Sequence, residues 1–407
     1  MKDQFSVLKD ELDYTVQQNI LEYWVNNSID VEHGGFVGQV DYRNIKNMRS
    51  NKGIVLNSRI LWTFSLAYRK LKKEEFRVLA DRAYGYVNDN FIDNIQGGVY
   101  WELDYLGKPV NKKKQIYAQA FTIYAFTEYY KISKNKQALE RAIELFHLIE
   151  EKSFDKVNKG YIEAFSEDWS ALKDMRLSTK DANQEKTMNT HLHILEAYTN
   201  LYSVWPDNFL REQQINLIKL FLDKFINAED HLNLFFTNTW ENQSSIISYG
   251  HDIECAWLLT EAAEMIVHEE LIKKTHDVSV RIAQKFISEA IDKDGGIINE
   301  RDTENGHVDN EKHWWQHAEA LVGLMNAHTI SQDENFVPHI FSIWEFIKKN
   351  LIDHQNGEWF WMAKTENISE NPQEKIGFWK CPYHNSRACF EMMDRIEALN
   401  IPQLKNK

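Results

Sequence analysis

Gly97-Gly98-Val99-Tyr100-Trp101-Glu102-Leu103 stands between a charged helical stretch, 74–91, and a nearly uncharged one, 117–133. That order of charged helix, Gly- or aromatic-marked turn and uncharged helix occurs six times in the 407 residues. The other turns read Gly34-Gly35-Phe36, Gly160-Tyr161, Leu234-Phe235-Phe236, Gly295-Gly296-Ile297 and Gly357-Glu358-Trp359. The spacing is 63 residues from Gly35 to Gly98, 62 from Gly98 to Gly160 and 61 from Gly296 to Gly357. A fixed period of this size marks a repeated helix pair.

The 3.6-residue periodicity predicts twelve helical segments. The first members of the pairs lie near 11–29, 74–91, 135–154, 208–226, 269–291 and 335–352. The second members lie near 56–73, 117–133, 188–205, 247–266, 313–330 and 385–400. Segment 135–154 carries seven charged residues, whereas 117–130 carries one, Glu128. A helix apolar nearly all round is buried, and one with a charged stripe is half-solvated. The second helices therefore form an inner ring and the first an outer ring. The predicted fold is all-α: an (α/α)6 barrel, one domain over 1–407, with short β-hairpins at one rim. Stretches such as Phe36-Val37-Gly38-Gln39-Val40 supply those hairpins.

Bulk composition narrows the function. With 61 acidic and 47 basic residues, the net charge of −14 argues against nucleic acid or an anionic membrane as partner. No apolar run reaches the roughly 18 residues of a membrane span, and the N-terminus does not read as a signal peptide. Three cysteines (Cys255, Cys381, Cys389) form no paired framework, which points to a reducing cytoplasm. No phosphate loop, dinucleotide fingerprint or serine nucleophile elbow is present.

Inner helices follow the hairpins, so their N-termini share one rim, where partial positive charge favours an anionic intermediate. Standing there are Arg59, then Tyr117 and Gln119, then Asn189 and His193 on one helical face, then His251 and Glu254 three apart. Trp314 and Trp315 open the fifth inner helix, and Trp379 and His384 precede the sixth. His251 reads as an acid/base imidazole oriented and kept basic by Glu254. It also reads as a packed residue at a helix start. His191 reads as packing, since only His193 shares a face with Asn189. Zinc spacing is tolerable in Cys381/His384 or His251/Glu254, yet there is no second Cys pair and no His-Glu-x-x-His, so no metal is expected. Trp314, Trp315, Trp359, Trp361 and Trp379 lie at or beside the rim, where indole faces suit the apolar C–H faces of sugars.

Four segments carry a resemblance: Asn57 to Trp62, Asn189 to His193, Gly250 to Glu254, and Trp379 to Arg387. On them the chain is similar, over essentially its full length, to the N-acylglucosamine 2-epimerase superfamily and within it to the cellobiose 2-epimerase group. The resemblance implies an (α/α)6 barrel, no cofactor, and reversible epimerisation at C2 of the reducing-end glucose of a β-1,4-linked disaccharide. By motif, it makes His251 and His384 the acid/base pair and gives His193 a part in ring opening or in holding the intermediate. It makes Arg59, Tyr117, Asn189, Glu254, Glu300, Trp314, Trp315 and Trp379 sugar contacts. The family usually reads Trp-Trp-x-Gln-Ala-Glu, and here His317 stands at the Gln position, so no role carries over to it.

The expected partner is a small-molecule disaccharide, with the protein a monomer or weak homodimer. Other readings stay open at this point. They are an N-acylglucosamine 2-epimerase or mannose-type aldose–ketose isomerase on the same barrel, an (α/α)6 glycoside hydrolase using carboxylates such as Asp252 and Glu300, and a non-catalytic glycan binder.

Overall fold

The computed structural model describes residues 2–363 and 374–400. The outer helices are α1 (Lys2–Tyr14, continued through a π-helical turn Thr15–Leu21 and Glu22–Asn27), α3 (Glu74–Tyr86), α5 (Lys136–Lys152), α7 (Asn208–Leu220), α9 (Glu269–Glu289) and α11 (Val337–Asn350). The inner helices are α2 (Ile54–Leu71), α4 (Ile116–Ser133), α6 (Met188–Tyr202), α8 (Tyr249–Met265), α10 (Trp314–Ser331) and α12 (Tyr383–Asn400). Each inner helix touches the next, and α12 returns to α2, closing the ring. This is the (α/α)6 barrel expected from sequence. No helix among the described residues is long and apolar enough to cross a membrane.

Composition explains the two rings. In α2 every residue from Ile54 to Ala67 is buried. In α5 the buried Ala138, Ala142, Leu145, Phe146 and Ile149 recur at three- and four-residue steps, the stripe of a half-solvated helix. Asn135 caps α5 by accepting from the Gln137 and Ala138 N–H groups. The first outer helix begins at Lys2, earlier than the expected start near 11. Phe5, Leu8 and Leu12, at helical spacing, are buried on this segment, and it packs on α12 across the seam of the ring.

The rim differs from the expected set of independent hairpins. After each outer helix the turn is closed by a single bridge: Ile29 with Phe36, Ile92 with Val99, Phe154 with Tyr161, Ile226 with Leu232, Ile291 with Ile297, and Ile352 with Trp359. The fourth turn thus falls before the expected Leu234-Phe235-Phe236. Hairpins within a repeat do form, Glu102–Leu103 with Pro109–Asn111 and Glu300–Asp302 with Val308–Asp309, and further ladders run between repeats. Lys52–Gly53 pairs with Glu102–Leu103, Lys114–Gln115 with Ala164–Phe165, Lys186–Thr187 with Phe235–Phe236, and Ile246–Ser248 with Glu300–Asp302. Val40–Asp41 pairs with Glu374–Ile376, joining the first repeat to the last.

Two recurring devices hold turns to inner helices. The fourth residue of four inner helices accepts a backbone N–H from its turn: Val99 to Gln119 (2.8 Å), Tyr161 to His191 Nε2 (2.9 Å), Leu232 to Asp252 (2.9 Å) and Ile297 to His317 Nε2 (3.0 Å). This gives His317 its role, the one Gln119 plays three repeats earlier. Its Nδ1 lies 2.6 Å from the His313 carbonyl and donates to it, leaving Nε2 as acceptor. Burial pushes His191 and His317 down to about 3, so both rings stay neutral as that pattern requires. A side chain at Gly98 (φ +78°) would put its Cβ 2.8 Å from the Gln119 amide oxygen, so the turn needs glycine to approach its acceptor. The second device is a Lys–Asp pair in five repeats, buried or nearly so in Lys52–Asp30, Lys114–Asp93, Lys186–Asp155 and Lys375–Asp353 and with an exposed carboxylate in Lys312–Asp292, at 2.6–2.9 Å. In the fourth repeat His231 and Asp252, 2.7 Å apart, stand in its place.

Candidate active site

The first two turns of the inner helices meet around one cavity of about 390 Å³. Arg59, Tyr117, Asn189, His193, His251, Glu254, Glu300, Trp314, Trp315, Trp379 and His384 all line it, together with Trp361 and the 177–181 segment. A side lobe of about 320 Å³ shares Asn189, His251 and Glu300 with it. A cavity of this size, in which aromatic faces from Tyr117 and four tryptophans stand among many convergent polar groups, suits a small hydroxylated ligand.

His251 and His384 both pack against one indole, with ring centroids 4.8 and 5.8 Å from that of Trp315. His193 packs against Tyr117 at 4.9 Å. In each imidazole Nδ1 has a partner: Ser248 Oγ at 2.8 Å for His251, Glu319 at 2.6 Å for His384, and Glu196 at 2.8 Å for His193. Nε2 is therefore the nitrogen each ring has left for a ligand. Burial pushes all three below the ordinary histidine range, and for His193 and His384 it outweighs the pull of the carboxylate. All three are neutral at pH 7, not one neutral and one charged as unperturbed values would suggest. Only His193 and His384 have a carboxylate ready to stabilise an added proton.

Arg59 is 3 % exposed, and among the described residues no carboxylate pairs with it. Its guanidinium donates to Tyr117 Oη (2.7 Å) and lies over the rings of Phe121 (4.2 Å) and Tyr383 (4.7 Å). A buried cation without a counter-charge is suited to an oxyanion. Arg59 Nε, Asn189 Oδ1 and Trp314 Nε1 are buried without a partner in the protein, as expected of groups that bond a hydroxylated ligand or water.

Several sequence expectations need correction. Glu254 does not orient His251, although the two share a helical face. The imidazole turns back to Ser248 on the preceding strand, and the carboxylate is captured by the Arg387 guanidinium at 2.8 Å. Trp359 is fully buried beneath the sixth turn and does not line the cavity. Asp252, a candidate hydrolase carboxylate, is spent on His231 and the Leu232 N–H. Glu254, Glu319 and His384 have metal-ligand chemistry and lie within 4.8 Å of one another. Yet the Arg387 guanidinium already donates to both carboxylates, so the cation place is taken.

The sequence reading missed Glu196, Ser248, Glu319 and the Tyr383/Arg387 pair as supports of the imidazoles. Glu196 was legible, lying three residues after His193 on one helix. Glu319 and Arg387 stood within the quoted motifs, but their contacts cross between helices.

The relatives of this barrel are sugar epimerases, and the protein is an isomerase of that class. The family model described as N-acylglucosamine 2-epimerase (GlcNAc 2-epimerase) matches residues 34–388. The cellobiose 2-epimerase of Bacteroides fragilis is 46% identical over 388 residues, covering 95% of this chain and 99% of that protein. That of Dictyoglomus turgidum is 40% identical, covering 96% and 99%. The solved cellobiose 2-epimerase of Bacillus thermoamylovorans B4167 superposes with a TM-score of 0.91 at 38% identity, covering 96% and 100%. The chain belongs to the N-acylglucosamine 2-epimerase family.

Proposed function

We propose that the protein reversibly epimerises C2 of the reducing-end glucose of β-1,4-linked disaccharides, converting cellobiose to glucosyl-mannose and lactose to epilactose. The observation that carries this reading is the placement of His251 and His384 in one cavity against the same Trp315 indole, beside Arg59, which has no carboxylate partner among the described residues. The names of the relatives point to the same substrate class.

A sugar C2–H becomes acidic only after the ring opens and C2 lies beside an aldehyde. His193, held by Glu196, assists opening by moving the proton between O5 and O1. His251 is the neutral base: its Nε2 takes the C2 proton, and the electron pair moves into a cis-enediolate. Arg59 and the helix N-termini stabilise the negative charge on the former carbonyl oxygen. His384, neutral in the resting site, takes up a proton from water as the enediolate forms, the Glu319 carboxylate on its Nδ1 stabilising the imidazolium, and delivers it to the opposite face of C2; His251 later returns its proton to water. One C–H bond breaks and one forms, with no net redox change. Trp314, Trp315 and Trp379 offer faces to the sugars, while Tyr117, Asn189, Glu254 and Glu300 offer hydrogen-bonding groups.

Cellobiose incubated with the protein in D2O tests this by proton NMR. The expected result is a new mannose-type reducing-end signal with solvent deuterium at C2 of the product. Epimer free of label would mean hydride transfer, and free glucose would mean hydrolysis; either overturns the proposal.

A further inference from the structure

We propose that Arg387, which lies behind the cavity wall, is the positioning residue that fixes His193 and His384 relative to each other. The proposal rests on the imidazole roles given above. Arg387 is 1 % exposed and is not a lining residue. Its Nη2 donates to Glu254 (2.8 Å) and to Glu319 (2.7 Å), and its Nη1 bonds Glu196 and Tyr383 Oη. Glu196 in turn holds His193 Nδ1, and Glu319 holds His384 Nδ1. Carboxylates from α6, α8 and α10 thus converge on one guanidinium from α12. Two imidazoles 191 positions apart in the chain take their orientation from the two ends of one planar fork. The plane is itself fixed, with the guanidinium carbon 4.2 Å from the Tyr383 centroid and 4.7 Å from that of Trp257.

The charge count makes the arrangement more than a brace. Three carboxyl groups face one guanidinium; burial and the neighbouring Glu319 charge raise Glu254 to about 8, which leaves the Glu196 and Glu319 carboxylates opposite one cation. A proton arriving on His384 or His193 during turnover supplies counter-charge to the carboxylate on its Nδ1. Arg387 leaves that demand unmet while holding both carboxylates in line.

Arg387→Lys in the full chain separates positioning from simple support of the fold. Lysine keeps the charge but replaces the fork with one nitrogen, which cannot serve Glu196 and the Glu254/Glu319 pair together. With cellobiose as substrate, kcat is expected to fall about 100-fold, as for a catalytic group displaced by about 1 Å, with KM within about threefold. The imidazole 15N signals of His193 and His384 should move, while those of His251, tied to Ser248, stay. A kcat within about threefold of the parent, or unmoved His193 and His384 signals, overturns the proposal. If the parent protein leaves cellobiose unchanged, the substrate reading fails, and the histidine signals still decide the role of Arg387.

Discussion

Replacing His384 by alanine is expected to lower epimerase kcat about 1,000-fold or more, and His251→Ala to do the same, with the fold intact in both. The size follows from the chemistry. Each ring is the group that exchanges a proton with one face of C2, and His193, the third imidazole of the cavity, has its part in ring opening. The two variants should differ in a second measurement. In His384→Ala, His251 remains to abstract, so the C2 hydrogen of the starting glucose should still exchange with D2O while epimer formation stops. In His251→Ala, that exchange should stop as well. The fold survives because neither imidazole supports a turn; His191 and His317 do that work. Retention of more than about a tenth of parental kcat in either variant contradicts the assignment.

Glu358→Ala is expected to be the most damaging substitution for stability, costing about 3–5 kcal/mol. Glu358 is fully buried and adopts a left-handed backbone at φ 66°. Its carboxylate accepts from Lys380 Nζ (2.6 Å), Asn385 (2.6 Å), the Trp359 N–H (2.9 Å) and the Trp24 indole N–H. Those partners come from the first outer helix, the sixth turn and the start of the last inner helix, where the ring closes. Alanine leaves the Lys380 ammonium, itself 0 % exposed, with no counter-ion in the interior. Adding Lys380→Met to the alanine variant should recover part of the loss, because the stranded charge goes too. Urea unfolding of the parent and both variants measures this. A single-variant loss below about 1 kcal/mol would place the stability of the seam elsewhere.

The architecture was legible because it repeats. Segments 117–133 and 135–154 are similar in length but differ in charge, and that contrast separates inner from outer helices with no tertiary information. The rim was less legible. Strands such as Lys52–Gly53 and Lys114–Gln115 are two residues long, below any period a sequence displays, and their partners lie in the next repeat. The Lys–Asp pairs stayed hidden for a similar reason, since Lys186 and Asp155 are 31 positions apart and neither sits in an unusual motif.

Within the site, residues on helix starts were easy to place, because the helix period and the rim rule fix where His193, His251 and Arg59 emerge. What those side chains bond to was harder. Helical spacing brings Glu254 within reach of His251, but a buried guanidinium attracts a carboxylate more strongly than a neutral ring does, and Arg387 stands in another repeat. Trp359 shows the reverse error. Its place beside Gly357 suggested the rim, yet the turn folds the indole inward, and the exposed face falls to Trp361 two residues on.

The central claim is that two imidazoles address the same carbon from opposite sides. A structure of the protein bound to cellobiitol, whose reducing end is locked open, tests it most directly. The account predicts His251 Nε2 and His384 Nε2 each about 3–3.5 Å from C2, on opposite faces, with Arg59 at the adjoining oxygen. Both nitrogens on one face, or either beyond reach of C2 with the sugar seated against Trp315, would contradict it.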